Sequence, residues 1–106
     1  MEQDFIVVLV SAGSLEEAER IAGAVVQEQL AACVNITAPV QSIYTWHGSI
    51  ERTEEVLLIM KTRASLYGAL EFQVRELHSY ENPEIIALPI VAGSPDYLHW
   101  VRESTS

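Results

Sequence analysis

Cys33, His47, His78 and His99 are the side chains of this sequence best suited to bind a transition metal, and no two of them stand at a ligand spacing. Paired cysteines, or two histidines four apart on a helix, would make a donor set; isolated donors do not. His78 is distinguished by its downstream neighbours. It ends a helical stretch and precedes Tyr80, Glu81 and Glu84, so an imidazole, a phenol and two carboxylates can gather at one turn, and a positive charge there suits a helix C-terminus. Cys33 is a soft ligand or nucleophile in principle and a small buried hydrophobe in the ordinary case. His78 and Cys33 are therefore the candidate metal donors. Lys61 and Arg63 form a positive spot in a chain with only six basic residues. Set against Trp46, Tyr80 and Glu81 from a neighbouring subunit, with Glu84 beside them, Lys61 would complete a pocket for a small anionic or zwitterionic ligand. The plainer alternative is a surface ion pair of Lys61 with a glutamate, worth about 0–1 kcal/mol.

Nothing assigns a catalytic residue. Ser11-Ala12-Gly13-Ser14 has no arginine to cradle a phosphoryl group, and there is no glycine-rich phosphate loop or Ser-His-Asp order. Fifteen acidic residues against six basic ones give a formal net charge of −9, a surface that repels phosphate backbones, so nucleic-acid binding is not expected. The acidic pairs Glu16-Glu17 and Glu54-Glu55 read as solvated faces. A single cysteine requires no oxidising compartment. Residues 1–4 lack the basic start of a secretory leader, and no apolar run is long enough to cross a bilayer. A cytoplasmic protein is expected.

The elements that must position these residues follow from periodicity in a chain of 106 residues, one domain's worth. Phe5 to Val10 is a continuous apolar run, the pattern of a strand covered on both faces. Ser14 and Glu17 make a capping box for a helix from Leu15 to Leu30, with Leu15, Ala18, Ile21, Ala22, Val25, Val26 and Leu30 on its apolar face. Ala32 to Trp46 is extended, with a bend or bulge expected at Pro39. His47-Gly48-Ser49 turns the chain into a second long strand, Ile50 to Lys61. Thr62 caps a second helix with Leu66, Ala69, Leu70, Val74 and Leu77 inward. Glu84 to Val91 is a strand that Pro89 confines to an edge or a bulge. Ser94-Pro95 opens a short last helix, and the tail from Glu103 to Ser106 is expected to be loose. The order β-α-β-β-α-β plus a terminal helix is an α+β, ferredoxin-like arrangement: an antiparallel sheet with two helices on one face.

The middle hairpin outruns its roof. Helices rise about 1.5 Å per residue and strands about 3.3 Å, so two helices cannot cover strands of this length. Tyr44, Trp46 and Ile50 would then stand on an apolar ribbon, and assembly is the economical way to cover it.

Several blocks also carry a family likeness. Leu30-Ala31-Ala32-Cys33-Val34-Asn35-Ile36, Ser42-Ile43-Tyr44-Thr45-Trp46-His47-Gly48, Glu54-Glu55-Val56 with Lys61-Thr62, Leu77 to Ile86, and Gly93 to Trp100 occur in order, and together they resemble the CutA family of divalent-cation tolerance proteins. That resemblance implies a ferredoxin-like subunit in a homotrimer, like signalling trimers of the PII type, built by intersubunit strand pairing. It implies a non-enzymatic binding or sensing role linked to divalent metals, copper above all. Of the three copper donors it implies, a cysteine ending the first strand and two adjacent histidines, this chain has Val10 and Leu77 at two positions and keeps only His78. A PII-like small-molecule sensor, a structural scaffold and a small hydrolase on the same fold are the competing readings.

Overall fold

A computed structural model describes residues 4–106; residues 1–3, most of the amino-terminal stretch that lacks a basic start, lie outside the described residues. The chain runs β1 (Phe5–Ala12), α1 (Leu15–Gln27), β2 (Cys33–Ile36), β3 (Val40–Trp46), β4 (Ser49–Arg63), a single 3-10 turn (Ala64–Leu66), α2 (Tyr67–Leu77), β5 (Ile85–Pro89) and α3 (Pro95–Ser104). The sheet order is β2-β4-β1-β5, every pairing is antiparallel, and β3 continues along β4 beyond β2. With β2 and β3 counted as one interrupted strand, this is the ferredoxin-like order that the sequence pattern predicts.

The interruption falls at Pro39. Ile36 pairs with Leu58 and Val40 with Glu55, so four steps on one strand oppose three on the other, the single extra residue of a bulge. Leu57 shows how the gap is closed: its carbonyl accepts from the Thr37 amide at 3.0 Å, and its own amide donates to Thr37 Oγ1 at 3.0 Å. Beyond the bulge, β3 and β4 form a hairpin on a two-residue turn. His47 and Gly48 both take positive φ, 51° and 81°, the type I′ geometry whose twist matches the strands.

Alternation along β1 puts Ile6, Val8, Val10 and Ala12 into the core, against Ala18, Ile21 and Val25 of α1, Leu70 and Val74 of α2, and Leu58 and Met60 of β4. On the opposite face Val7, Leu9, Leu57 and Ile59 are half-buried, and α3 packs at its Phe5–Arg63 end, where Arg102 lies over the Phe5 ring and Arg63 bonds Thr105. Ile86 and Leu88 pair with Leu9 and Val7 and are about half exposed on that side. β1 therefore reads as a strand covered twice, while within one chain its second face is covered only in part.

Several local expectations are corrected. Helix α1 stops at Gln27 because Gln29 turns left-handed, at φ 60°. The Gln29 amide donates to the Val26 carbonyl and the Leu30 amide to the Val25 carbonyl, a Schellman closure with glutamine where glycine is usual. Leu30 thus folds back beneath the helix, while Leu15 and Val26 face outward. Gln29→Gly should raise stability by about 0.5–1 kcal/mol, the relief of a left-handed non-glycine residue less the extra entropy of the unfolded chain, measurable by urea denaturation. Thr62 caps nothing: it is fully buried in β4, and its hydroxyl donates to the Leu30 carbonyl at 2.7 Å. Ala69 is exposed, not inward. The tail is not loose either. Helix α3 reaches Ser104, and Thr105 is buried with Arg63 Nε donating to its hydroxyl at 2.9 Å.

Candidate functional site

Tyr80 and Glu55 define the site. The Tyr80 hydroxyl donates to Glu55 Oε2 at 2.7 Å, tying the link between α2 and β5 to the base of the β3–β4 hairpin. Between them lies a cleft of about 650 Å³. Its hairpin wall is Ser42 to Trp46 with Thr53 and Glu55, its floor includes Ser11, and its other wall is Tyr80, Glu81, Asn82 and Glu84. Strand alternation aims Ser42, Tyr44 and Trp46 to one side of β3, and the cross-strand partners Thr53 and Glu55 share that side. Burial, the Glu55 hydrogen bond and the charge of Glu55 push the Tyr80 phenol far above its ordinary pKa, so it stays a donor throughout the physiological range.

The wall from Ser79 to Glu84 is held from beneath by Glu17 and His78. Glu17, only 6% exposed, accepts from the Ser79 amide at 2.7 Å and, more loosely, from the Gly13 amide at 3.4 Å. Burial pushes its pKa up, but the Ser79 amide and hydroxyl, the His78 ring and the Gly13 amide together outweigh it, and the carboxyl is held below the usual range. The capping box is thus half-formed: the Glu17 amide donates to Ser14 Oγ at 3.1 Å, while the carboxylate turns away to the cleft wall. The fully buried His78 side chain has a fixed role at each nitrogen. The Tyr80 amide donates to Nδ1 at 3.0 Å, and Nε2 donates to the Ser11 carbonyl at 2.7 Å, the only assignment those partners allow for a neutral ring.

The structure brings Trp46, Tyr80, Glu81 and Glu84 together within one subunit and leaves Lys61 out. Lys61 lies six residues farther along β4 than Glu55, roughly 20 Å at about 3.3 Å per residue, opposite Cys33. Its ammonium group touches Asn35 Oδ1 and the Ile59 carbonyl rather than a glutamate. The candidate metal donors are also separated. Cys33 sits half-buried beside Lys61 and near Tyr97, whose phenol burial and the nearby thiol push upward in pKa. His78 lies at the Ser11 end of the sheet with both nitrogens engaged. Among the described residues no three His, Cys, Asp or Glu side chains converge on a point that could hold an ion, so the residues of one subunit do not fit a resident divalent metal. Glu17 and Glu55, taken from the sequence as solvated, prove to be buried parts of the site. The signal for Glu17 is its place at the head of the buried 17-21-25 stripe.

A ferredoxin-like domain with an open acidic and aromatic cleft at the base of a projecting hairpin is the class of protein these observations define. The family described as CutA1 divalent ion tolerance protein matches residues 6–104. The Divalent-cation tolerance protein CutA of Thermus thermophilus is 48% identical over 99 residues, 93% of this chain and 96% of that one. Rice Protein CutA 1, chloroplastic, is 47% identical over 94% of this chain. The chain spans about half the length of several such relatives, 56% of the rice protein and 50% of the mouse Protein CutA. The solved structure of the periplasmic divalent cation tolerance protein CutA from Archaeoglobus fulgidus superposes with a TM-score of 0.94 at 40% identity, covering 96% of this chain and 99% of its own. This chain belongs to the CutA1 divalent ion tolerance family.

Proposed function

We propose that this chain is a non-enzymatic, homotrimeric binding and sensing protein linked to divalent-cation tolerance, with the cleft between the hairpin and the Ser79–Glu84 wall as its ligand site. The observation that carries this is the pairing of an organised cleft with a half-covered sheet. Trp46, Tyr80, Glu81 and Glu84 meet in one pocket, and the sheet face of Val7 and Leu9, which α3 covers only in part, leaves Ile86 and Leu88 about half exposed. The hairpin adds a separate apolar patch on the other side of the sheet, where Ile43 and Ile50 are 58% and 78% exposed. Exposed apolar surface of this kind marks an interface. Strand pairing between copies would cover it. The cleft holds no nucleophile–base–orienter arrangement, which favours binding over turnover. The cytoplasm is the proposed location, on the single half-buried thiol that needs no oxidising environment.

Copper is the second reading, favoured by the family's description as a divalent ion tolerance family. With Cys33 and His78 apart, a copper site would need donors from more than one subunit. Native mass spectrometry with sub-stoichiometric copper tests both readings. The expected result is a trimer whose copper adducts never saturate at a fixed ratio. A trimer with discrete, saturable copper would establish the second reading instead. A monomer at micromolar concentration would end the assembly proposal.

A further inference from the structure

The most buried carboxylate of the cleft has no cation beside it. Glu55 is 7% exposed and commits Oε2 to the Tyr80 hydroxyl. Oε1 has no hydrogen-bond partner among the described residues. Because no fully buried side-chain oxygen there lacks a partner, Oε1 must open onto the cleft that Glu55 lines. Glu55 takes part in none of the ion pairs among the described residues, and no Lys, Arg or His side chain lines the cleft. A buried carboxylate is costly unless a cation or several donors compensate it, and here the protein supplies one phenol.

We infer that the cleft takes an organic cation, an ammonium or quaternary ammonium group on a small apolar body, with Glu55 as its counter-ion. This rests on the reading of the cleft as a ligand site, and it replaces the anionic or zwitterionic ligand that Lys61 would have served. Three observations choose an organic cation over a metal ion. Tyr44, Trp46 and Tyr80 give the cleft aromatic walls, which attract ammonium groups through their π faces and offer nothing to a hard metal. The carboxylates of Glu55, Glu81 and Glu84 border the cleft without converging on one point. About 650 Å³ falls within the usual range for small-molecule pockets, far more than a bare ion occupies. Glu81 and Glu84, both exposed at the rim, and the net charge of −9 draw cations toward the opening.

Phenethylamine, phenethyl alcohol and phenylacetate share a body and differ in charge, so they separate the possibilities. Each is titrated into the uniformly 15N-labelled full chain while the Trp46 indole and the Tyr80 and Glu84 amides are followed by NMR. The expected result is saturable shifts with phenethylamine, at least tenfold weaker binding of the alcohol, and no binding of phenylacetate. Glu55→Gln, which keeps an acceptor for Tyr80, should weaken the amine at least tenfold. Should that variant unfold, Glu84→Gln at the rim should still weaken it two- to fivefold. Equal binding of amine and alcohol overturns the inference. Phenylacetate shifting the same resonances and losing them in Lys61→Ala would overturn it while leaving the cleft a ligand site completed by a second copy. No movement of cleft resonances with any probe would remove both the inference and the site.

Discussion

Glu17→Ala should lower the unfolding free energy by about 3 kcal/mol and loosen the wall of the cleft, although Glu17 is not itself a lining residue. The substitution removes the buried carboxylate that accepts from the Ser79 amide at 2.7 Å and, more weakly, from the Gly13 amide. A hydrogen bond to a charged group contributes about 1.5–3 kcal/mol. Urea denaturation gives the stability change, and hydrogen exchange at Ser79 and Tyr80 reports the loosening. The pH dependence has a definite sign. The Glu17 carboxyl is depressed below its ordinary value of 4.5 in the folded state, so its contribution is complete above about pH 4.5 and is lost as pH falls through the lower folded value. The stability gap between the parent protein and Glu17→Gln should therefore be constant from pH 7 down to about 5 and shrink below 4.5. A gap that widens on acidification would refute this account of the carboxylate.

Leu58→Ala and Leu88→Asp should separate the two faces of the sheet. Leu58 is fully buried beneath the helices, and its truncation should cost about 3 kcal/mol, within the range seen for leucines in packed cores. Leu88 pairs with Val7 on the partly covered face and is 45% exposed, so aspartate there should barely disturb the folded chain. In the proposed trimer it should instead leave a monomer at micromolar concentration. Sedimentation velocity with a parallel melt distinguishes the two. A trimer that survives Leu88→Asp would place the interface elsewhere.

The sheet order and the hairpin were legible because each rests on local patterns. Pro39 marks the bulge, Pro89 the edge strand β5, and His47-Gly48 the turn. The site was legible only in part. Trp46, Tyr80, Glu81 and Glu84 could be grouped because they flank two recognisable loops. Lys61 was grouped with them only across a seam between copies, and within one chain it lies farther along β4, because alternation reports the face of a strand and not the distance along it. Glu17 was missed for a different reason: its partner Ser79 is 62 residues away, and nothing in a helix's own spacing says which distant amide will meet its first turn. Thr62 obeys the same logic, with a local capping pattern overridden by a bond to Leu30, 32 residues earlier.

Strand β4 also has a kinetic consequence. Its outer half, Ser49 to Glu55, finds β3 across a two-residue turn, a search that hairpins complete in about 1–10 μs. Its inner half must capture β1, with Val56 meeting Ala12 and Arg63 meeting Phe5, and that closure spans nearly half the chain. Non-local pairings of this kind slow the folding of small domains. A single continuous strand is therefore expected to zip in two stages, first at the tip that carries Trp46 and later at the end that holds the core. Fluorescence of Trp46, in a chain with Trp100 replaced by phenylalanine, should change before the core amides of Leu58 and Met60 become protected from exchange.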